Sequence, residues 1–352
     1  MSIPGVQITC NQYQQPVTCF VALSTHPRAL THGKRHAGNG LDDVGDLAVY
    51  QALMVPLDGS EFGRHAIPWA LAIAEPAGAR VDLVHVLTPQ YDLGVPEGDK
   101  VVLAEAIDSQ RTATEQRMQD LANRLRRGTG IQFSSAVVEG NTADALLRYA
   151  DERAIDLIVM TTHGRSGLAR AVLGSISDQV VRRSRRPVLL ARPHRHVAEE
   201  REAAAVSDVL VPLAGTVTSE AILAHALEVC RLTGASCTLL HVVVPEILVT
   251  GAAVPIALAD ERATANEQRG DAYLATRADR FHEGGVAVTT ATVRHAQVAD
   301  GILEYCATHP VSVIAMATRG TKGLERAMLG STMDALLKKT HLPLLATATH
   351  PD

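Results

Sequence analysis

Aromatic side chains are scarce here: Phe, Trp and Tyr together make up 3 % of the 352 residues. Any core must therefore be built from Val, Leu, Ile and Ala, a mix suited to parallel strands covered by helices on both faces. The five cysteines (Cys10, Cys19, Cys230, Cys237 and Cys306) contain no CxxC pair and no zinc spacing. That odd, scattered set argues against a disulfide framework and for a reducing compartment. No apolar run reaches the roughly 18 residues that a membrane span requires. The opening residues, MSIPGVQITCNQYQQPV, lack the basic start and apolar block of a secretory leader. Positive charge is also not in excess: the net charge of −5 offers no general attraction to nucleic acid or anionic membranes. The expectation is a cytoplasmic protein with neither nucleic acid nor membrane as partner.

What is present is length enough for two domains and a long internal repeat. Residues 52–192 resemble residues 208–348. Pro56 matches Pro212, His85 matches His241, Asp144 matches Asp300 and Tyr149 matches Tyr305. Gly164, Gly174 and Pro187 likewise match Gly320, Gly330 and Pro343, always 156 positions apart. An offset that never changes means no net insertion between the landmarks. The unit is too long for a solenoid repeat, so a whole domain is duplicated. The expected organisation is an N-terminal extension over 1–48, a first domain over 49–192, a charged linker over 193–207 and a second domain over 208–348.

Each copy alternates strands with helical patterns, which predicts right-handed crossovers and a parallel sheet. In the first, Ala52 to Leu57 is an apolar run that stops at the Asp58-Gly59 turn signal. A helical pattern follows, in which Pro68 is expected to introduce a bend. Strands are predicted over Arg80–Leu87, Ile131–Val138, Ile155–Met160 and Pro187–Leu190. Helices are predicted over Val101–Arg127, from the N-cap Asn141 to Asp151, and over Ser175–Arg185.

The chemistry concentrates in Val159-Met-Thr-Thr-His-Gly-Arg-Ser-Gly-Leu-Ala-Arg-Ala-Val-Leu-Gly-Ser175. A buried strand runs into Gly164 and Gly167, and Gly174-Ser175 then opens a helix. Glycines let backbone approach an anion closely. A helix start adds unpaired N–H groups and the positive end of the macrodipole. These are the means of binding a polyphosphate, although no Gly-Lys-Ser/Thr triplet of a Walker loop is present. His85 and His241, inside apolar strands, read as satisfied strand histidines rather than metal ligands. No metal cluster and no catalytic set of residues is recognisable.

With that loop in view, the chain resembles the universal stress protein family in its ATP-binding branch, over residues 52–192 and again over 208–348. The branch's phosphate motif has a glycine, two residues, a second glycine, nine residues, and a third glycine before Ser or Thr. Here Gly164, Gly174 and Ser175 match it, with Thr161 at the first glycine. Gly320, Gly330 and Ser331 match it again, with Ala317 at the first glycine. The resemblance implies two flavodoxin-like α/β domains, each a five-stranded parallel sheet of order 3-2-1-4-5, and ATP with Mg2+ as ligand. It further implies that Asp58 faces base and ribose and that the Val86 backbone contacts adenine. Met160, Thr161, Gly164, Gly174, Ser175 and Ile176 complete that first site. In the second copy Val242, Gly320, Gly330 and Ser331 form the counterpart, but Ala214 replaces Asp58, so that site is expected to be weaker.

Three functional classes fit: a nucleotide-binding stress regulator acting through nucleotide-dependent association, a slow ATPase or other adenine-nucleotide hydrolase, and a nucleotide-free interaction scaffold. The first is favoured, because binding needs no catalytic constellation. Domains of this type pair through their final strands, so Pro187–Ala191 and Pro343–Ala346 are expected to meet in an internal pseudo-dimer. Further association of two chains is left open.

Overall fold

A computed structural model describes residues 50–88, 100–162, 173–192, 203–245, 256–319 and 330–349. The first half begins with β1 (Ala52–Pro56), α1 (Glu61–Arg64), α2 (Ile67–Ala77), β2 (Arg80–Leu87), α3 (Lys100–Thr129) and β3 (Phe133–Glu139). It continues with α4 (Thr142–Glu152), β4 (Leu157–Thr161), α5 (Ser175–Arg183) and β5 (Val188–Ala191). The second half repeats the order: β6 (Asp208–Pro212), α6 (Val217–Glu220), α7 (Leu223–Thr233), β7 (Ser236–Val243), α8 (Ile256–Glu283), β8 (Val288–Arg294), α9 (Val298–Thr308), β9 (Val313–Arg319), α10 (Ser331–Lys339) and β10 (Leu344–Thr349).

All ten strands join one sheet in the order β3-β2-β1-β4-β5-β10-β9-β6-β7-β8. Each half is the expected parallel 3-2-1-4-5 arrangement, and the last strand of each meets the other. That junction is antiparallel, with Leu190 opposite Leu344, Leu189 opposite Leu345 and Val188 opposite Ala346. Leu189 and Leu345 are themselves repeat equivalents, so the register places a pseudo-two-fold axis through that pair. Each half thereby covers the open edge of the other, which would otherwise present unpaired backbone groups.

Successive strand residues point to opposite faces, and both faces are packed. Leu53, Val55, Leu83, Val159, Leu189, Val211, Leu239 and Leu345 lie in one core with residues of α2, α3, α7 and α8. Met54, Val84, Ile158, Leu190, Leu210, Ile314 and Leu344 lie in the other with α4, α5, α9 and α10. Burial on both sides is why the strands read as continuous apolar runs rather than as alternating patterns.

Local chemistry sets several boundaries. The Asn141 side chain accepts from Asp144 N and starts α4 where expected. Pro68 does not bend a helix: it stands in the first turn of α2, where a missing N–H costs nothing, and the chain breaks before it between α1 and α2. Gly78, at φ 62°, ends α2 in the left-handed conformation that glycine tolerates. Asp156 accepts from the backbone of Gln51 and Ala52 at 2.9 and 3.0 Å. This ties up the start of β1, and β4 begins at Leu157 instead of Ile155. In the second half Ser312 performs the same task for Ser207 and Asp208.

One buried polar contact bridges the halves. Tyr50, 2 % exposed and just ahead of β1, hydrogen-bonds through its hydroxyl to Nδ1 of His225 on α7 at 3.1 Å, and the two rings stack. Burial drives the His225 pKa down to about 4, and burial, with Glu228 and Asp156 nearby, raises that of Tyr50. A histidine held neutral in the fold but free to protonate when unfolded stabilises fully above its ordinary pKa near 6.5. That contribution, at most about 3 kcal/mol, is lost as pH falls from about 6.5 towards 4. Urea titrations across this range are expected to show the decline, and His225→Gln to flatten it.

Candidate nucleotide site

Within a doubly wound sheet the strand order reverses between the first and fourth strands, and the carboxyl ends there flank a crevice. In the first half that crevice is a cavity of about 580 Å³. Of the residues singled out in this copy, Asp58, Val86, Met160, Thr161, Gly174, Ser175 and Ile176 all line it. Gly164, with His163, Arg165 and Gly167 of the same loop, lies outside the described residues.

Asp58 follows β1 through a continuation of the ladder, in which Leu57 N donates to Val84 O at 2.8 Å. Its Oδ1 accepts from Ser60 N at 3.0 Å and from Ser60 Oγ at 2.6 Å. Ser60 Oγ in turn accepts from Gly63 N and caps α1. A Cβ at Gly63 would sit 2.9 Å from Asp58 Oδ1, so the carboxylate would have to shift to admit a side chain there. His85, 8 % exposed, donates from Nδ1 to Leu57 O at 2.7 Å. A carbonyl can only accept, so this bond specifies the Nδ1–H form. His241 makes the same bond to Leu213 O at 2.8 Å. Both are satisfied strand histidines, as their apolar context implied.

On the other side of the crevice β4 ends at Thr161, whose carbonyl accepts from the buried Ser177 hydroxyl at 2.9 Å. Gly174 N donates to Thr162 O at 2.8 Å, closing the loop against the strand end. Gly174 is the N-cap of α5, and among the described residues no side chain caps that helix. Its first-turn N–H groups are thus the groups available to an anion.

The second half has a cavity of the same volume, about 580 Å³, whose lining includes Val242, Gly330 and Ser331. Gly320 lies outside the described residues. Ala214 borders this cavity in place of the carboxylate. Sequence reasoning missed Gln110 and Thr142, which reach the first cavity from α3 and from the start of α4. Comparison of the repeats carried a partial signal, because Thr88 and Thr142 become Val244 and Val298. Among the described residues no group of three His, Cys, Asp or Glu side chains could hold a metal ion, and no helix is long and apolar enough to cross a membrane.

The profile of the universal stress protein family matches residues 50–192 and 206–347. A universal stress protein of Mycolicibacterium smegmatis is 24 % identical over 301 residues, covering 85 % of this chain and 97 % of its own. The universal stress protein MJ0531 of Methanocaldococcus jannaschii is 28 % identical over 145 residues, 41 % of this chain and 83 % of its own. Among solved structures, a universal stress protein from Archaeoglobus fulgidus superposes with a TM-score of 0.56. It is 18 % identical and covers 84 % of this chain and 98 % of its own, a likeness of fold.

The histidine bonds make a direct prediction. His85→Leu leaves the Leu57 carbonyl without its donor in a buried setting and is expected to lower unfolding free energy by about 1–3 kcal/mol. Urea denaturation measures this, and nitrogen NMR of the histidines should show His85 and His241 in the Nδ1–H form above pH 8.

Proposed function

The chain belongs to the universal stress protein family, with two of its domains in one polypeptide, and from that we propose that it is a cytoplasmic stress-response regulator whose first domain binds ATP. The observation that carries this reading is that seven residues implied by the family resemblance line one cavity at the reversal of the strand order. About 580 Å³ is within the range of small-ligand sites. Its polar groups are also distributed as a nucleotide would require.

At one end lies the uncapped start of α5, with Gly174 and the Ser175 hydroxyl, suited to phosphate. The end of β1 lies beside that of β4, adjacent strands being about 5 Å apart, and Asp58 there would accept from ribose hydroxyls. One strand further, Val86 stands near the end of β2 and would offer its backbone to the base. Mg2+ in such sites is held chiefly by phosphate oxygens and water. Bound, the ion would neutralise phosphate charge. The residues named bind and orient, and occupancy of the crevice would bias how the chain associates with a second copy or a partner.

Mass spectrometry of the denatured, purified protein is expected to release ATP at nearer one than two per chain. Asp58→Ala should weaken ATP about tenfold or more, through loss of a charged acceptor. Calorimetry of nucleotide-free protein that detected no ATP uptake in the presence of magnesium would overturn the proposal.

A further inference from the structure

The junction between the halves is symmetric in its backbone but not in its side chains. Leu189 and Leu345 face each other on the pseudo-two-fold axis, so each place on one side has a counterpart on the other. Tyr50 corresponds in the repeat to Val206, and Trp69 corresponds to His225. Trp69 and His225 are each the third residue of their helix, α2 and α7. On one side of the axis Tyr50 stacks on His225, with its hydroxyl 3.1 Å from Nδ1. On the other side Trp69 and Val206 line one small void with Ile73, Val229, Leu189 and Leu345. There Ala204 N donates to Pro68 O at 2.8 Å and holds the approach to β6 against α2. Tyr50, Trp69 and Val206 all pack in the same core.

Each combination works only across unlike halves. Tyrosine with a smaller, hydrogen-bonding ring fills one corner, and tryptophan with valine fills the other. If a first half paired with a copy of itself, the same backbone would set Tyr50 against Trp69 at both corners. Two large rings would then share each space, and overfilling a packed core strains it. An indole is a donor only, so it offers no acceptor for the tyrosine hydroxyl proton. If a second half paired with a copy of itself, His225 would meet Val206 at both corners. Each corner would keep a cavity, and an imidazole nitrogen would lose the partner that Tyr50 supplies. Two-fold symmetry doubles either fault. The strands themselves discriminate little, because Leu190–Leu344, Leu189–Leu345 and Val188–Ala346 are all aliphatic pairs and a backbone ladder is blind to sequence.

We propose that Tyr50, Trp69, Val206 and His225 form an address that makes this junction heterotypic. The face of a first domain accepts the face of a second domain and rejects its own kind. The partner it fits is the unlike half, from the same chain or from another, and never the like half of a second copy. Specificity of this sort is a difference between two affinities, and each wrong pairing is penalised at two corners.

Converting one face into the other tests this in the full chain. Tyr50→Val with Trp69→His gives both halves the second address, and Val206→Tyr with His225→Trp gives both the first. Each double variant is expected to lower the folding equilibrium constant, read by urea unfolding, by about a hundredfold or more. All four substitutions together rebuild both corners with their sides exchanged, and should return that constant to within about tenfold of wild type. Equal parts of the two double variants, unfolded and refolded together, should yield a mixed dimer of one chain of each in native mass spectrometry. Every first address then finds a second address only in the other chain. Rescue by the fourfold variant and formation of mixed dimers both remain readable if a double variant alone does not fold. Double variants as stable as wild type, a fourfold variant no more stable than they are, or a mixture without mixed dimers would overturn the inference.

Discussion

Antiparallel hydrogen bonding between Val188–Ala191 and Leu344–Thr349 holds two five-stranded sheets as one. Either strand alone would be a short, largely apolar edge, an exposed template for pairing with other chains. Joined, they remove both edges and let each core run through the junction, so that Leu189 packs in the same cluster as Val211 and Leu345. The buried Tyr50–His225 contact and the bond from Ala204 N to Pro68 O cross the same boundary on one face. These polar links orient the halves, and apolar burial is the larger source of cohesion.

The strand order within each half determines where the crevices lie. The parallel strands of each half end together, and the helices after β1 and β4 leave on opposite faces of the sheet. The space between them cannot be filled by either helix. It is a consequence of topology, and the side chains only decide what the space accepts. In the first half those side chains are a carboxylate held by Ser60, two threonines at the far end and an uncapped helix start.

The second half keeps the topology and changes the chemistry. Ser219 preserves the backbone geometry that Asp58 sets in the first copy, by offering one oxygen to the same pair of donors. Ser312 does likewise for Asp156 at the start of β6. In both places a charged acceptor has been exchanged for a hydroxyl without disturbing the chain path. Duplication allows this, since hydrogen-bond acceptance is the structural need and charge is an additional property that function can alter.

Much was legible in the linear order of residues. The constant offset of 156 identified the duplication, the apolar runs located the strands, and Asn141 and Gly174 marked helix starts because capping is local chemistry. Strand ends shifted by a residue or two where remote partners such as Asp156 intervened, and Pro68 was misplaced because its meaning depends on which turn of the helix it occupies. Asp58, Val86 and Ser175 could be picked out in sequence, yet Gln110 and Thr142 could not, since their proximity to the cavity follows from helix packing. The sequence alone determined which segments form strands and helices, because periodicity, capping and turn chemistry act over a few residues. Only the tertiary structure decided that the two last strands join, that the crevices are equal in size, and that Ser219 replaces the carboxylate of Asp58, because those facts depend on contacts between residues that only folding brings together.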